Sequence, residues 1–102
     1  MSKNKMVQLL FLPPAEKYFK KLRDKELKQK YKAALEAICA DPFAGSEKTG
    51  DLSGIFGYDI YHNRTNYEIA YRVYKLTDRS KIIVIMAGTR ENFWDILKRY
   101  IR

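Results

Sequence analysis

The run Ile82-Ile83-Val84-Ile85-Met86 constrains this chain more than any other stretch. A short apolar run rich in β-branched residues and bounded by turn signals forms a strand covered on both faces. The fold must therefore place packing partners on each side of it. Gly88 ends the strand, and Thr89-Arg90-Glu91-Asn92 follow as a polar cluster at its tip. A rigid sheet holds such side chains in fixed positions, so the cluster is a candidate site. Beyond it Phe93, Ile96, Leu97 and Tyr100 recur at i, i+3, i+4 and i+7, which predicts a closing helix with that face inward.

Upstream, Met6 to Leu12 is nearly continuous in apolar residues, with Val7, Leu9 and Phe11 on one side, and reads as the first strand. Pro13-Pro14 stops it and starts a helix, since proline is tolerated in a first turn. Ala15, Tyr18, Phe19 and Leu22 carry that helix to about Arg23. Asp24 is a plausible N-cap for a second helix with Leu27, Tyr31, Ala34, Leu35 and Ile38 on its inner face, ending before Asp41-Pro42. Residues 43–57 are rich in glycine, serine and threonine and read as a loop tacked down by Leu52, Ile55 and Phe56. Alternation from Tyr58 to His62, and again from Tyr67 to Lys75, predicts a β-hairpin around Asn63-Arg64-Thr65-Asn66. The expected architecture is α+β in the order β-α-α-β-β-β-α. A small antiparallel-rich sheet packs against an N-terminal helical hairpin, with a C-terminal helix, in a single domain over residues 1–102.

Side chains alternate across a strand, so the hairpin has two distinct faces. Tyr58, Ile60, Ile69, Tyr71 and Val73 would meet the helices. Asp59, Tyr61, Glu68, Ala70 and Arg72 would lie on the other face, which is too polar for a core and is a candidate concave site.

A formal net charge of +8 on so small a chain attracts polyanions, and the lysines from Lys17 to Lys32 concentrate it on the two helices. They are a solvated face or a surface for nucleic acid or an acidic protein. No apolar run approaches the ~18 residues that cross a bilayer, and no signal peptide is expected. One cysteine, Cys39, excludes an internal disulfide and fits a cytoplasmic protein. The single histidine, His62, has no metal-binding neighbourhood, there is no phosphate loop of Walker spacing, and no cofactor is implied.

A possibility that remains open is metal-independent attack of an RNA 2'-hydroxyl on the neighbouring phosphate. It needs a base near neutral pKa, an acid and a fixed cation. Arg90 suits the cation, because guanidinium grips phosphate in a fork and stays charged. Glu68, Asp59, Glu91 and His62 are candidate acids or bases, and Trp94 and Tyr61 could stack on bases. Each also has a structural role open to it: a helix cap for Arg90 and Glu91, a pairing with Arg72 or Arg64 for Glu68, packing for the rings. The candidate catalytic residues on this reading are Arg90, Glu68 and His62, and the candidate substrate contacts Lys48, Asp59, Tyr61, Arg64, Glu91 and Trp94.

The order of elements, together with Asp41-Pro42, Gly50-Asp51-Leu52-Ser53-Gly54, Tyr67-Glu68-Ile69-Ala70-Tyr71-Arg72-Val73 and Gly88-Thr89-Arg90-Glu91, resembles the RelE/ParE superfamily of toxins from bacterial toxin-antitoxin systems. The resemblance implies a toxin neutralised by an acidic antitoxin. It implies either a messenger RNA endoribonuclease that acts at the ribosome and inhibits translation, or a poison of DNA gyrase without nuclease activity. An inactive relative that only binds antitoxin or nucleic acid is a third possibility. Arg90 falls where the RelE branch keeps a catalytic arginine. The branch's lysine pair falls on Gly57 and Asp59, and the arginine after the hairpin tyrosine is Glu68. Glu68, Arg72 and Arg90 would together make a carboxylate-and-arginine set.

Overall fold

The computed structural model describes residues 6–101, in which five strands form one sheet with helices on both of its faces. Strand β1 (Met6–Phe11) is followed by helices α1 (Pro13–Lys21) and α2 (Lys25–Ala40), then by β2 (Ser46–Glu47), β3 (Ile55–His62), β4 (Thr65–Lys75), β5 (Arg79–Thr89) and helix α3 (Phe93–Ile101). The sheet order is β1-β5-β4-β3-β2, with β1 parallel to β5 and every other pair antiparallel. The expected α+β order holds, and none of the described helices is long and apolar enough to cross a membrane.

Local signals set most boundaries. Pro13 and Pro14 occupy the first turn of α1, which stops at Lys21 rather than Arg23. Asp24 caps α2 by accepting a hydrogen bond from the Leu27 amide at 3.1 Å, and α2 ends at Ala40 as Asp41-Pro42 dictates. Asn63 and Arg64, both at positive φ, make a two-residue turn between β3 and β4. Such a turn matches the right-handed twist of the strands.

The loop expected over residues 43–57 is more ordered than its glycines suggest. It contains β2, a 3-10 turn at Gly50–Leu52, and the first residues of β3, which begins at Ile55 rather than Tyr58. Gly57 lies inside the strand for a packing reason. A Cβ there would approach the Trp94 ring to 2.8 Å and the Lys48 side chain to 3.0 Å.

Two cores result. The larger one lies between the helical hairpin and one sheet face and contains Leu27, Tyr31, Ala34, Ile38, Ile60, Ile69, Tyr71, Ile82 and Val84, as parity predicts. The second lies under α3, where Phe93 and Leu97 pack on Leu52, Ile55, Ala70, Ile85 and Met86. The face expected to be polar is thus apolar in its middle. Leu52, Ile55 and Ala70 supply that middle, and a bulge adds Met86 to it: Ala70 pairs with Met86 and Tyr71 with Val84, which leaves Ile85 without a cross-strand partner. From there on the parity of β5 is reversed, and Met86 and Gly88 turn towards α3. The inward face of α3 also differs from the expected one. Phe93, Trp94, Leu97 and Ile101 pack inward, while Ile96 and Tyr100 are exposed.

Candidate functional site

The site is built on one rung of the sheet at the hairpin end, where Asp59, Glu68 and Gly88 stand side by side on β3, β4 and β5. Paired residues in a sheet share a face, and this face is the one that carries α3. Glu68 is 1% exposed, a burial that is rare for a carboxylate. Its Oε2 forms an ion pair with the Arg90 Nε at 3.2 Å, and its Oε1 has no hydrogen-bond partner. Burial pushes the Glu68 carboxyl up from 4.5 to about 7, and the facing Asp59 carboxylate pushes the same way. Arg90 and then Lys48 pull it back. A carboxyl in that range holds a proton and releases it at physiological pH.

Arg90 reaches Glu68 because the bulge has turned the end of β5 towards this face. Its backbone amide donates to the Asn66 carbonyl at 2.9 Å, and its carbonyl accepts from the Phe93 amide at 3.0 Å. The arginine backbone is thereby tied to the hairpin on one side and to the start of α3 on the other. Its side chain remains 57% exposed, so solvent or a substrate can reach it. A Cβ on Gly88 would meet nothing within 4 Å, and the rung is open beside the carboxyl.

One rung further in, Trp94 lies on Gly57, and the Lys48 ammonium sits 4.4 Å from the centroid of its ring. Backbone pairing of Lys48 with Ile55, at 2.8 Å, fixes the start of that side chain. Tyr61 is 62% exposed on the face of Asp59, and its carbonyl accepts from the Lys30 Nζ at 2.9 Å. Arg64 is exposed at the tip of the hairpin, and Glu91 is exposed next to Arg90.

Five of the predicted residues, Glu68, Arg90, Asp59, Lys48 and Trp94, therefore fall on one patch. Two of the catalytic candidates do not. His62 is buried on the opposite face, where its Nε2 lies 3.0 Å from the Asp24 Oδ2. It stands beside the capped end of α2 and not beside Glu68, because its even parity on β3 turns it towards the helices. Arg72 shares the face of Glu68 but is four residues along β4, about 13 Å at ~3.3 Å per residue. It lines a separate cavity with Asp51, Lys98 and Ile101. Lys98 was not among the sequence candidates, and the available signal was its position four residues after Trp94, on one flank of α3.

Residues 9–98 match the family model of the ParE-like toxin of type II bacterial toxin-antitoxin systems. No curated protein sequence matches the chain. Among solved structures it is similar to the YoeB/ParE toxin from Agrobacterium tumefaciens, with a TM-score of 0.68 and 19% identity over 81% of this chain and 98% of that one. It is also similar to the intact E. coli RelBE toxin-antitoxin complex, with a TM-score of 0.60 and 21% identity over 79% of this chain and 93% of that one. A mutant E. coli toxin RelE bound to an antitoxin RelBc peptide aligns with a TM-score of 0.61 and 19% identity, over 88% and 93% of the two chains. At these identities the structural likeness concerns the fold.

Proposed function

The chain belongs to the ParE-like toxin family of type II bacterial toxin-antitoxin systems, and from that premise we propose that it cleaves messenger RNA at the ribosome without a metal ion. Glu68 acts as the base and Arg90 stabilises the transition state. The observation that carries this is the buried Glu68 carboxyl, raised to about 7 and held 3.2 Å from a half-exposed guanidinium. A base must be deprotonated near neutral pH and still bind a proton well, and burial supplies that compromise here.

In the reaction the 2'-oxygen attacks its own 3'-phosphorus while Glu68 takes the hydroxyl proton. The bond from phosphorus to the 5'-oxygen breaks, leaving a cyclic phosphate and a 5'-hydroxyl whose proton comes from solvent at the open side of the rung. Arg90 neutralises the charge that grows on the phosphoryl oxygens. Asp59 keeps Glu68 high in pKa, Lys48 holds a neighbouring phosphate, and Trp94 and Tyr61 offer faces for bases. Lysines of α1 and α2 dock ribosomal RNA. An acidic antitoxin is the partner that restrains the activity in the cytoplasm.

Production of the chain without antitoxin, followed by mapping of RNA ends, tests this. Cuts should appear in translated messages, and Arg90→Ala should slow cleavage by roughly 10²- to 10³-fold, the effect of losing one fixed charge donor. Intact transcripts with continuing translation would reject the proposal. The ParE-like character of the matching family favours a second reading, gyrase poisoning. It predicts DNA damage and blocked replication while messages stay whole.

A further inference from the structure

Trp94, Lys98 and Ile101 follow one another at i, i+4 and i+7 and so share one flank of α3. At the near end of that flank Lys48 lies over the Trp94 ring. At the far end Lys98 and Ile101 line a cavity of ≈ 570 Å³ with Arg72 and Asp51. The cavity has built features. Arg72 is half-buried, and Gly54 leaves room for it, since a Cβ at that glycine would come within 3.0 Å of the Arg72 Nη1. Among the described residues neither Arg72 nor Lys98 forms a salt bridge. Two cations against the one Asp51 carboxylate leave a single net positive charge, the match for one phosphodiester.

We propose that the Arg72 and Lys98 cavity is a second phosphate subsite, which holds the RNA strand several nucleotides from the bond that is cut. The strand reaches it along the Lys48, Trp94 and Lys98 flank of α3. This rests on the RNA-cleavage reading above. The separation of Glu68 from Arg72, about 13 Å along β4, spans roughly four stacked nucleotides at ~3.4 Å each. Arg72 supplies the forked contact that suits a phosphate, and Lys98 a mobile charge at the rim. The aromatic ring between two basic ends is the arrangement by which proteins hold single strands without reading their sequence.

Uncleavable 2'-O-methyl RNA tests the subsite by fluorescence anisotropy, with one oligomer of about three nucleotides and one of about eight, longer than the ~13 Å span. The wild type should bind the longer one on the order of tenfold more tightly. Lys98→Gln and Arg72→Gln should each abolish that gain, lower the salt slope by about one, and leave the short oligomer unaffected. Lys98 is exposed, so its variant should fold as the wild type does. A length gain that is absent from the wild type, or that survives in Lys98→Gln, overturns the subsite. RNA-end mapping in parallel separates the two ideas. If the wild type cuts RNA and Lys98→Gln keeps the gain, only the subsite falls. If the gain depends on the cavity and no RNA is cut, only the cleavage reading falls.

Discussion

His62 and Glu68 are both buried on neighbouring strands, on opposite faces of the sheet, and they are held in different ways. His62 is next to a large apolar core and pairs with Asp24, a surface carboxylate that also caps α2. Glu68 sits at the margin of the smaller core, with one oxygen on a solvent-facing arginine, the Asp59 carboxylate beside it, and Oε1 without a hydrogen-bond partner. The histidine's pairing ties α2 to the sheet. The glutamate's incomplete pairing costs stability, since a buried polar atom without a partner loses its water. Burial alone therefore does not mark an ionisable group as functional; the two residues differ in how completely their surroundings satisfy them.

Glu68→Gln separates the two residues most sharply. If Glu68 is the base, cleavage should fall by roughly 10²- to 10⁴-fold, the usual contribution of a positioned proton acceptor. The same substitution should stabilise the fold, with the sign set by pH. The folded carboxyl binds its proton up to about 7, against 4.5 ordinarily. As pH rises through that interval the folded state retains a proton that the unfolded state has released, so stability declines across it and stays reduced above it. Glutamine escapes that loss. Thermal melts of the variant and the wild type should coincide near pH 4 and separate by pH 8 in favour of the variant, by up to roughly 3 kcal/mol at ~1.4 kcal/mol per pKa unit. A variant that loses both activity and stability would make Glu68 a structural residue like His62.

The two cores give a second test. Leu97 is fully buried under α3, whereas Ile96, one residue earlier, is 47% exposed. Leu97→Ala should cost about 2–5 kcal/mol in urea melts. Ile96→Ala should change stability by less than about 0.5 kcal/mol. Because α3 carries Trp94 and follows directly from Arg90, Leu97→Ala should also reduce RNA cleavage more than its loss of folded protein explains. Equal costs at the two positions would mean that α3 packs on the face first expected from the spacing of Phe93, Ile96, Leu97 and Tyr100.

That spacing illustrates what the sequence makes legible. Periodicity, caps and turn residues located the first strand, the helical hairpin, the β-hairpin and the closing helix, because each is a local signal. Parity assigned the hairpin's inner face and placed Glu68 and Asp59 opposite it. Three features were not local. The bulge at Ile85 reverses the parity of β5, and no residue in that run announces it. Gly57 reads as a loop residue until Trp94 is seen lying on it. The partner of His62 is 38 residues away at a helix start, where Asp24 was already explained as a cap. The resemblance to a known family supplied the significance of Arg90, but its distance from Glu68 is a product of that bulge.

On the helical side of the sheet a milder change is expected at Asp24. The Asp24 carboxyl is held below its ordinary value of 3.8, first by the Leu27 amide and then by His62, both of which favour its charged form. A carboxylate with a lowered folded pKa contributes stability above its unfolded value and loses it as pH falls through the folded one. Asp24→Ala should therefore lower the melting temperature at pH 7, and the difference from the wild type should shrink below pH 4. Asp24→Asn retains a capping oxygen for the Leu27 amide while its NH2 group takes the place of the oxygen that faces His62, so its loss should be smaller than that of alanine. Cleavage by the folded fraction should stay within about twofold of the wild type in both variants, a change in barrier well below the 1.36 kcal/mol that makes a factor of ten. If Asp24→Asn melts normally yet cleaves poorly, His62 acts on the opposite face through its partner, and the division of the sheet into a structural and a reactive side fails.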